Sequence, residues 1–138
     1  MSLPPRLFCD TSFFFACLDP SDVNHSRAAQ LVEEAEASRS DLLTTWDVVS
    51  ETATLLRYRT SFTAAWTFLR EIKPTLHLVS YGDEVRARAE EAFGKYGEDR
   101  RLSFCDAVSF VVVTTVLGGL PCLAFDRDFR ALGLTVLA

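Results

Sequence analysis

Four carboxylates draw attention because each is set in apolar sequence, where burial of a charge is unfavourable. Asp10 lies inside LFCDTSFFF (7–15), Asp106 inside LSFCDAVSF (102–110) and Asp126 inside LAFDRDF (123–129). Glu51, in TTWDVVSETATLL (44–56), borders the helical arc of Val48, Thr52 and Leu55. Taken singly, each has an ordinary explanation. Asp10 suits a helix cap, Ser103 with Asp106 has the spacing of a capping box, and Glu51 suits a helix rim or surface salt bridge. Asp47, in the first turn of its helix, is accounted for by the dipole. Gathered together, the four acids would repel, by about 4 kcal/mol for a pair about 4 Å apart at an effective dielectric near 20. A divalent cation reverses that sign, and all-oxygen ligands select Mg²⁺ or Mn²⁺ over zinc. Mg²⁺ keeps several waters, which suits hydrolysis and contact with phosphate. Zinc is disfavoured further because His25 and His77 are isolated and Cys9, Cys17, Cys105 and Cys122 form no C-x-x-C pair.

The elements that position these acids follow from the patterning. Residues 6–9 read as a buried strand leading into a helix from about Thr11. A second helix starts near Asp22 and carries Ala28, Leu31, Val32 and Ala35 at helical spacing. Leu42–Thr44 reads as a strand, with helices from about Thr45 and over Phe62–Ile72, closed by Pro74. LHLV (76–79) is a strand, Gly82 to about Phe93 a charged amphipathic helix, and GKYGEDRR a polar loop. The stretch 104–117 is a helix apolar nearly all round, expected to be covered on both sides. PCLAF (121–125), DRDFRAL and LTVL read as strand, short helix and last strand. The alternation predicts an α/β fold: one domain over 1–138, with a mostly parallel twisted sheet of four to five strands sandwiched by helices. In such a sheet the binding crevice lies beyond the carboxyl ends of the strands. Asp10 and Asp126 each follow a strand directly, so both project from that edge.

Composition excludes several functions. The chain has 138 residues, 49% of them hydrophobic, and no repeat or linker, so one core suffices. Residues 107–125 carry no charge, but Gly118-Gly119-Leu120-Pro121 breaks them into helix and strand, against a membrane span. Asp10 interrupts the first apolar patch, against a signal peptide. The cysteines read as reduced thiols of a cytoplasmic protein, with redox control of Cys9 or Cys105 a minor alternative. Net charge is −5, unlike most nucleic-acid binders; yet of 19 acidic residues, removing the four above leaves 15 against 14 basic. Arginines also cluster locally, at Arg57/Arg59, Arg86/Arg88, Arg100/Arg101 and Arg127/Arg130. No glycine-rich phosphate loop or G-x-S-x-G elbow is present. A haloacid-dehalogenase phosphatase needs an aspartate where Ser12 stands, and a receiver domain needs paired acids near the first strand and a lysine that Lys73 and Lys95 do not supply.

FCDTS (8–12), VVSET (48–52), LSFCDAVSF and LAFDRDF, in this order, with Asp22-x-x-His25-x-x-Ala28, give a chain that resembles PIN-domain ribonucleases over essentially its whole length. The likeness is greatest to the short VapC-type toxins of toxin–antitoxin pairs. It implies that Asp10, Glu51, Asp106 and Asp126 bind one or two Mg²⁺ or Mn²⁺ ions, that the Ser12 hydroxyl contacts the site and that Thr11 assists. Asp128 stands where relatives commonly have histidine, either as an extra ligand or as a charge repelling substrate; Asp126 is favoured as the fourth acid because it comes first after the strand. His25 is expected to pack or hydrogen-bond rather than catalyse. The implied activity is metal-assisted hydrolysis of RNA, with Arg100 and Arg101, then Arg127, as the basic rim. The implied partners are a small antitoxin whose tail enters the acidic cleft and a second copy of the chain, joined through the helices at about 45–72. The alternative is a catalytically silent PIN-like domain used for protein binding.

Overall fold

The first apolar run becomes an inner strand. In the computed structural model, which describes residues 2–138, β1 (Arg6–Cys9) lies between β2 (Asp41–Thr44) and β4 (Cys122–Leu123), and β3 (His77–Leu78) flanks β2. All pairings are parallel, in the order β3-β2-β1-β4, with Phe8 in register with Leu43 on one side and Cys122 on the other. Leu7, Phe8 and Cys9 are all fully buried, as expected of a parallel strand covered on both faces. LTVL contributes one bridge, Val136 to Cys122, so the sheet has four strands among the described residues and the fifth is vestigial.

Helices α1 (Thr11–Leu18) and α2 (His25–Ala37) join β1 to β2, and α3 (Trp46–Arg59) and α4 (Phe62–Thr67) join β2 to β3. Helices α5 (Asp83–Tyr96) and α6 (Phe104–Val111) return the chain past β1 to β4, and α7 (Arg127–Ala131) follows. The chain thus winds outward from β1 in one direction and then in the other. Between the two sets of helices, α3 packs against α6. The order reverses beside β1, so the crevice of the sheet opens between the ends of β1 and β4.

Several boundaries differ from expectation, each for a local reason. Helix α2 begins at His25 rather than Asp22 because carboxylates form tight turns ahead of it. Asp19 accepts the Ser21 N–H at 2.9 Å and Asp22 the Asn24 N–H at 2.8 Å. Helix α5 runs on to Tyr96, through the start of the expected loop. Phe93 and Tyr96 there meet Phe104 and Phe110 of α6 edge-on, at 5.8 and 6.1 Å. After α6 the backbone widens into a π-turn over Val112–Val116. The Thr114 and Thr115 hydroxyls donate to the carbonyls of Phe110 and Val111 at 2.8 and 2.7 Å, competing with the helix ladder. Thr114, Thr115 and Val116 are exposed, so this segment is covered on both sides only as far as Val113. A similar π-turn, Phe68–Ile72, carries α4 to the Pro74 turn. Gly118 and Gly119, with φ of 65° and 83°, then reverse the chain into β4.

Candidate active site

Each proposed acid occupies a helix start or first turns beside the crevice, which explains how the sequence holds charges there. Asp10 caps α1 from the end of β1, and its own N–H donates to the Leu123 carbonyl of β4 at 3.1 Å. Thr44, from β2, donates its hydroxyl to the Cys9 carbonyl at 2.8 Å, bracing Asp10 from the other side. Asp10 is 1% exposed. Its Oδ2 accepts both the Ser12 hydroxyl at 2.6 Å and the Ser12 N–H at 3.1 Å, whereas its buried Oδ1 has no partner. Ser12 Oγ in turn accepts the Phe125 N–H at 2.9 Å.

Asp106 forms the capping box expected of Ser103: its N–H donates to Ser103 Oγ at 3.0 Å and its Oδ2 accepts the Ser103 N–H at 3.1 Å. Asp126 caps α7 by accepting the Asp128 N–H at 2.9 Å. Glu51 lies on α3, whose start Thr45 caps by accepting the Val48 N–H. Asp47 in its first turn accepts a hydrogen bond from the Tyr81 hydroxyl.

The structure brings Asp10, Ser12, Glu51, Asp106 and Asp126 onto one cleft of about 530 Å³, with Thr11 and Arg101 also in its wall. Arg100, Arg127 and Asp128 line an adjoining groove that shares Arg101, Phe125 and Asp126 with the cleft. Burial pushes the Asp10 carboxyl up to about 6, against the pull of the Ser12 hydrogen bonds, and the Asp126 charge adds to the rise. Burial first, and then the Asp10 charge, push Asp106 up to about 7, with Asp126 and Glu51 contributing. Arg101, the cation that the sequence offered as a partner for Asp106, forms no ion pair with it; the ion pairs among the described residues lie elsewhere.

Unlike a finished coordination shell, the cleft gathers no three acidic, histidine or cysteine side chains at ligand spacing among the described residues. The donor set still fits a hard divalent cation. It is all oxygen, the neighbouring carboxylate charges add to the raised proton affinity of Asp10 and Asp106, and one buried carboxylate oxygen has no donor. Cys105 lies near these acids, and burial with the Glu51 and Asp10 charges pushes its thiol well up. Burial likewise raises the Cys9 thiol well above its usual range, so neither thiol of the redox alternative is favoured as a thiolate, and Cys17 and Cys122 are pushed up to about 12 by burial. His25 points Nδ1 at the Ala16 carbonyl, 2.7 Å away, the hydrogen-bonding role expected of it.

The sequence reading missed Phe15, Asp22, Asn24, Leu55, Arg59 and Phe125, which also line the cleft. A signal was present for two of them: Leu55 and Arg59 follow Glu51 at successive intervals of four residues, one stripe of a helix.

Several known proteins resemble this chain in sequence and fold. The family model described as PIN domain matches residues 7–134. The 23S rRNA-specific endonuclease VapC20 of Mycobacterium tuberculosis is 34% identical over 131 residues, 92% of this chain and 94% of its own. A VapC ribonuclease of Archaeoglobus fulgidus is 30% identical over 87% of this chain and 76% of its own. The crystal structure of the M. tuberculosis VapC20, titled a sarcin–ricin loop cleaving toxin, superposes with a TM-score of 0.77 at 30% identity, covering 94% of this chain and 96% of its own. FitAcB from Neisseria gonorrhoeae, at 13% identity and a TM-score of 0.67, shares the fold. With a match that runs from β1 to the residues after α7, the chain belongs to the PIN-domain family.

Proposed function

We propose that this protein is a divalent-metal-dependent endoribonuclease, the toxin of a toxin–antitoxin pair acting in the cytoplasm. One observation carries the reading: acids from four separate elements, Asp10, Glu51, Asp106 and Asp126, line one cleft at the carboxyl ends of β1 and β4. Such a set opposes folding through desolvation and mutual repulsion, and a ligand cation reverses that. The VapC names of its relatives support RNA as the substrate.

These four acids would hold Mg²⁺ or Mn²⁺. A bound ion of this kind supplies an acidified water and neutralises charge on the scissile phosphate. The chain's own contribution is preorganisation. Ser12 orients Asp10, the Ser103 N–H orients Asp106, and the Asp128 N–H orients Asp126. Arg101, with Arg100 and Arg127 in the adjoining groove, offers positive charge to the RNA backbone.

Two partners belong to the same reading. A small antitoxin would place a basic tail in the acidic cleft. A second copy of the chain would cover α3 and α4, where Tyr58, Phe62 and Trp66 are 83%, 58% and 52% exposed. Phe62 stacks on Trp66 at 6.1 Å, with Arg57 and Arg70 over the two rings.

The test is cleavage of total RNA with added Mg²⁺ or Mn²⁺, with and without chelator, beside Asp10→Asn and Asp106→Asn. Wild-type protein cuts, chelator stops it, and both variants fold yet leave RNA intact. Equal cutting by either variant would refute the mechanism. Tight binding of a small partner without any cutting would favour a silent protein-binding domain.

A further inference from the structure

The cleft extends beyond the acids, and its two ends differ. Toward α6 and α7 it meets the arginine groove; toward the far ends of α1 and α3 it is lined by Phe15, Asp22, Asn24, Leu55 and Arg59, the Asp22 carboxylate being engaged by the Asn24 N–H. Helical spacing builds this second end. Phe15 follows Thr11 by one turn on α1, and Leu55 and Arg59 follow Glu51 by one and two turns on α3. Arg59 therefore stands about 12 Å along the helix from Glu51. A hydrogen bond from the Thr60 hydroxyl to Asp19, 3.1 Å long, ties the ends of α1 and α3 together and fixes the spacing of the two walls.

The side chains at this end suit a nucleobase. Phe15 and Leu55 are both half-buried apolar groups in the wall. Asn24 flanks the start of α2, yet its side chain makes no capping bond; the loop is held instead through its backbone N–H, which Asp22 accepts. A carboxamide carries a donor and an acceptor side by side, the pair that reads a base edge. Arg59 is exposed and belongs to none of the ion pairs among the described residues, which leaves its charge for phosphate.

We infer that this end of the cleft is a base-reading half-site for a nucleotide flanking the scissile phosphate, with Phe15 and Leu55 holding the ring, Asn24 reading its edge and Arg59 taking the next phosphate. The arginine groove at the opposite end holds the backbone without selecting sequence. This inference rests on the ribonuclease reading above, and it makes sequence preference one-sided about the cut.

The experiment uses the full chain with Mn²⁺ on a library of RNA hairpins with randomised loops, together with total RNA, the cut ends being sequenced. Wild type gives a base preference concentrated on one side of the cut. Asn24→Ala lowers that preference about tenfold, equivalent to about 1.4 kcal/mol, at one position alone. Arg59→Ala raises KM several-fold and keeps the base profile, and Arg101→Ala weakens binding without changing the profile. Unchanged melting of Asn24→Ala separates reading from folding, since no capping bond is lost; Asn24→Ser serves as the second variant. If wild type cuts and Asn24→Ala keeps its full preference, or if wild type shows no preference beside the cut, the half-site is wrong and the nuclease stands. If wild type and Asp10→Asn alike leave both substrates intact, the nuclease reading fails and the half-site fails with it.

Discussion

Ser12 and Phe125, 113 residues apart in the chain, are joined by a hydrogen bond of 2.9 Å from the Phe125 N–H to Ser12 Oγ. The same hydroxyl donates to Asp10 Oδ2 at 2.6 Å, so one side chain couples the end of β1 to the segment that presents Asp126. Replacing Ser12 with Ala removes a donor from a buried carboxylate and leaves the Phe125 N–H without its acceptor. We expect a stability loss of about 1–3 kcal/mol. RNA cleavage is expected to fall about 10- to 100-fold, the usual effect of losing a group that orients a metal ligand. Ser12→Thr keeps the hydroxyl and recovers most of both. Thermal melts and cleavage rates measured in parallel check this; an Ala variant with full activity would deny Ser12 its positioning role.

The raised carboxyls of Asp10 and Asp106 make stability depend on pH in a definite direction. In the ion-free protein the folded state retains protons, up to about pH 6 at Asp10 and about pH 7 at Asp106, that the unfolded chain releases near pH 4. Where the folded state binds more protons, stability falls as pH rises. The contribution is therefore complete below about pH 4 and lost as pH climbs to about 7. For these two coupled groups we expect a loss on the order of 3 kcal/mol between pH 5 and 7.5, on the scale of 1.36 kcal/mol per pH unit. Mg²⁺ or Mn²⁺ should restore it at pH 7.5 and do little at pH 5. Asp10→Asn, which keeps a good cap, should melt higher than wild type at pH 7.5 in chelator and show a shallower pH slope. Calorimetric scans at both pH values decide the matter, and a wild-type melting temperature that ignores divalent ions would count against the metal site.

What the sequence makes visible here follows from burial. A charge inside LFCDTSFFF or LSFCDAVSF conflicts with its surroundings, and that conflict marks Asp10 and Asp106 before any coordinates are known. The parallel sheet is equally legible, because its inner strand must be apolar on both faces. The far end of the cleft is not legible in the same way. Phe15, Leu55 and Arg59 are ordinary residues at ordinary helical spacing, and only the pairing of α1 with α3 turns two stripes into two walls. The late start of α2 and the widened end of α6 depend on local bonds of Asp22, Thr114 and Thr115, which compete with the helix ladder and leave the apolar period unchanged.

The aromatic surface of α3 and α4 predicts its own test. Trp66 is 52% exposed and stacked on Phe62, so a charge placed there does not enter the core. Trp66→Glu is expected to convert a dimer to a monomer by light scattering while the melting of dilute protein stays nearly unchanged. A wild-type chain that is monomeric at micromolar concentration would remove the dimer from the proposal.

Asp126 and Asp128 stand two residues apart, and their roles separate by geometry. Asp126 lines both the acid cleft and the arginine groove, and its carboxylate is held by the Asp128 N–H at 2.9 Å. Asp128 lines the groove alone, beside Arg100, Arg101 and Arg127, where it places negative charge along the path assigned to the RNA backbone. Neutralising Asp126 should therefore remove a metal ligand, while neutralising Asp128 should remove a repulsion. Asp126→Asn keeps the cap and is expected to lose cleavage with reduced Mn²⁺ affinity. Asp128→Asn is expected to bind Mn²⁺ as wild type does and to lower KM for RNA by about two- to fivefold at low salt, the advantage fading as ionic strength shortens the reach of the charge. Mn²⁺ titration calorimetry and steady-state cleavage at two salt concentrations read the two effects independently. A drop in Mn²⁺ affinity for Asp128→Asn equal to that of Asp126→Asn would make Asp128 a ligand and reverse this assignment.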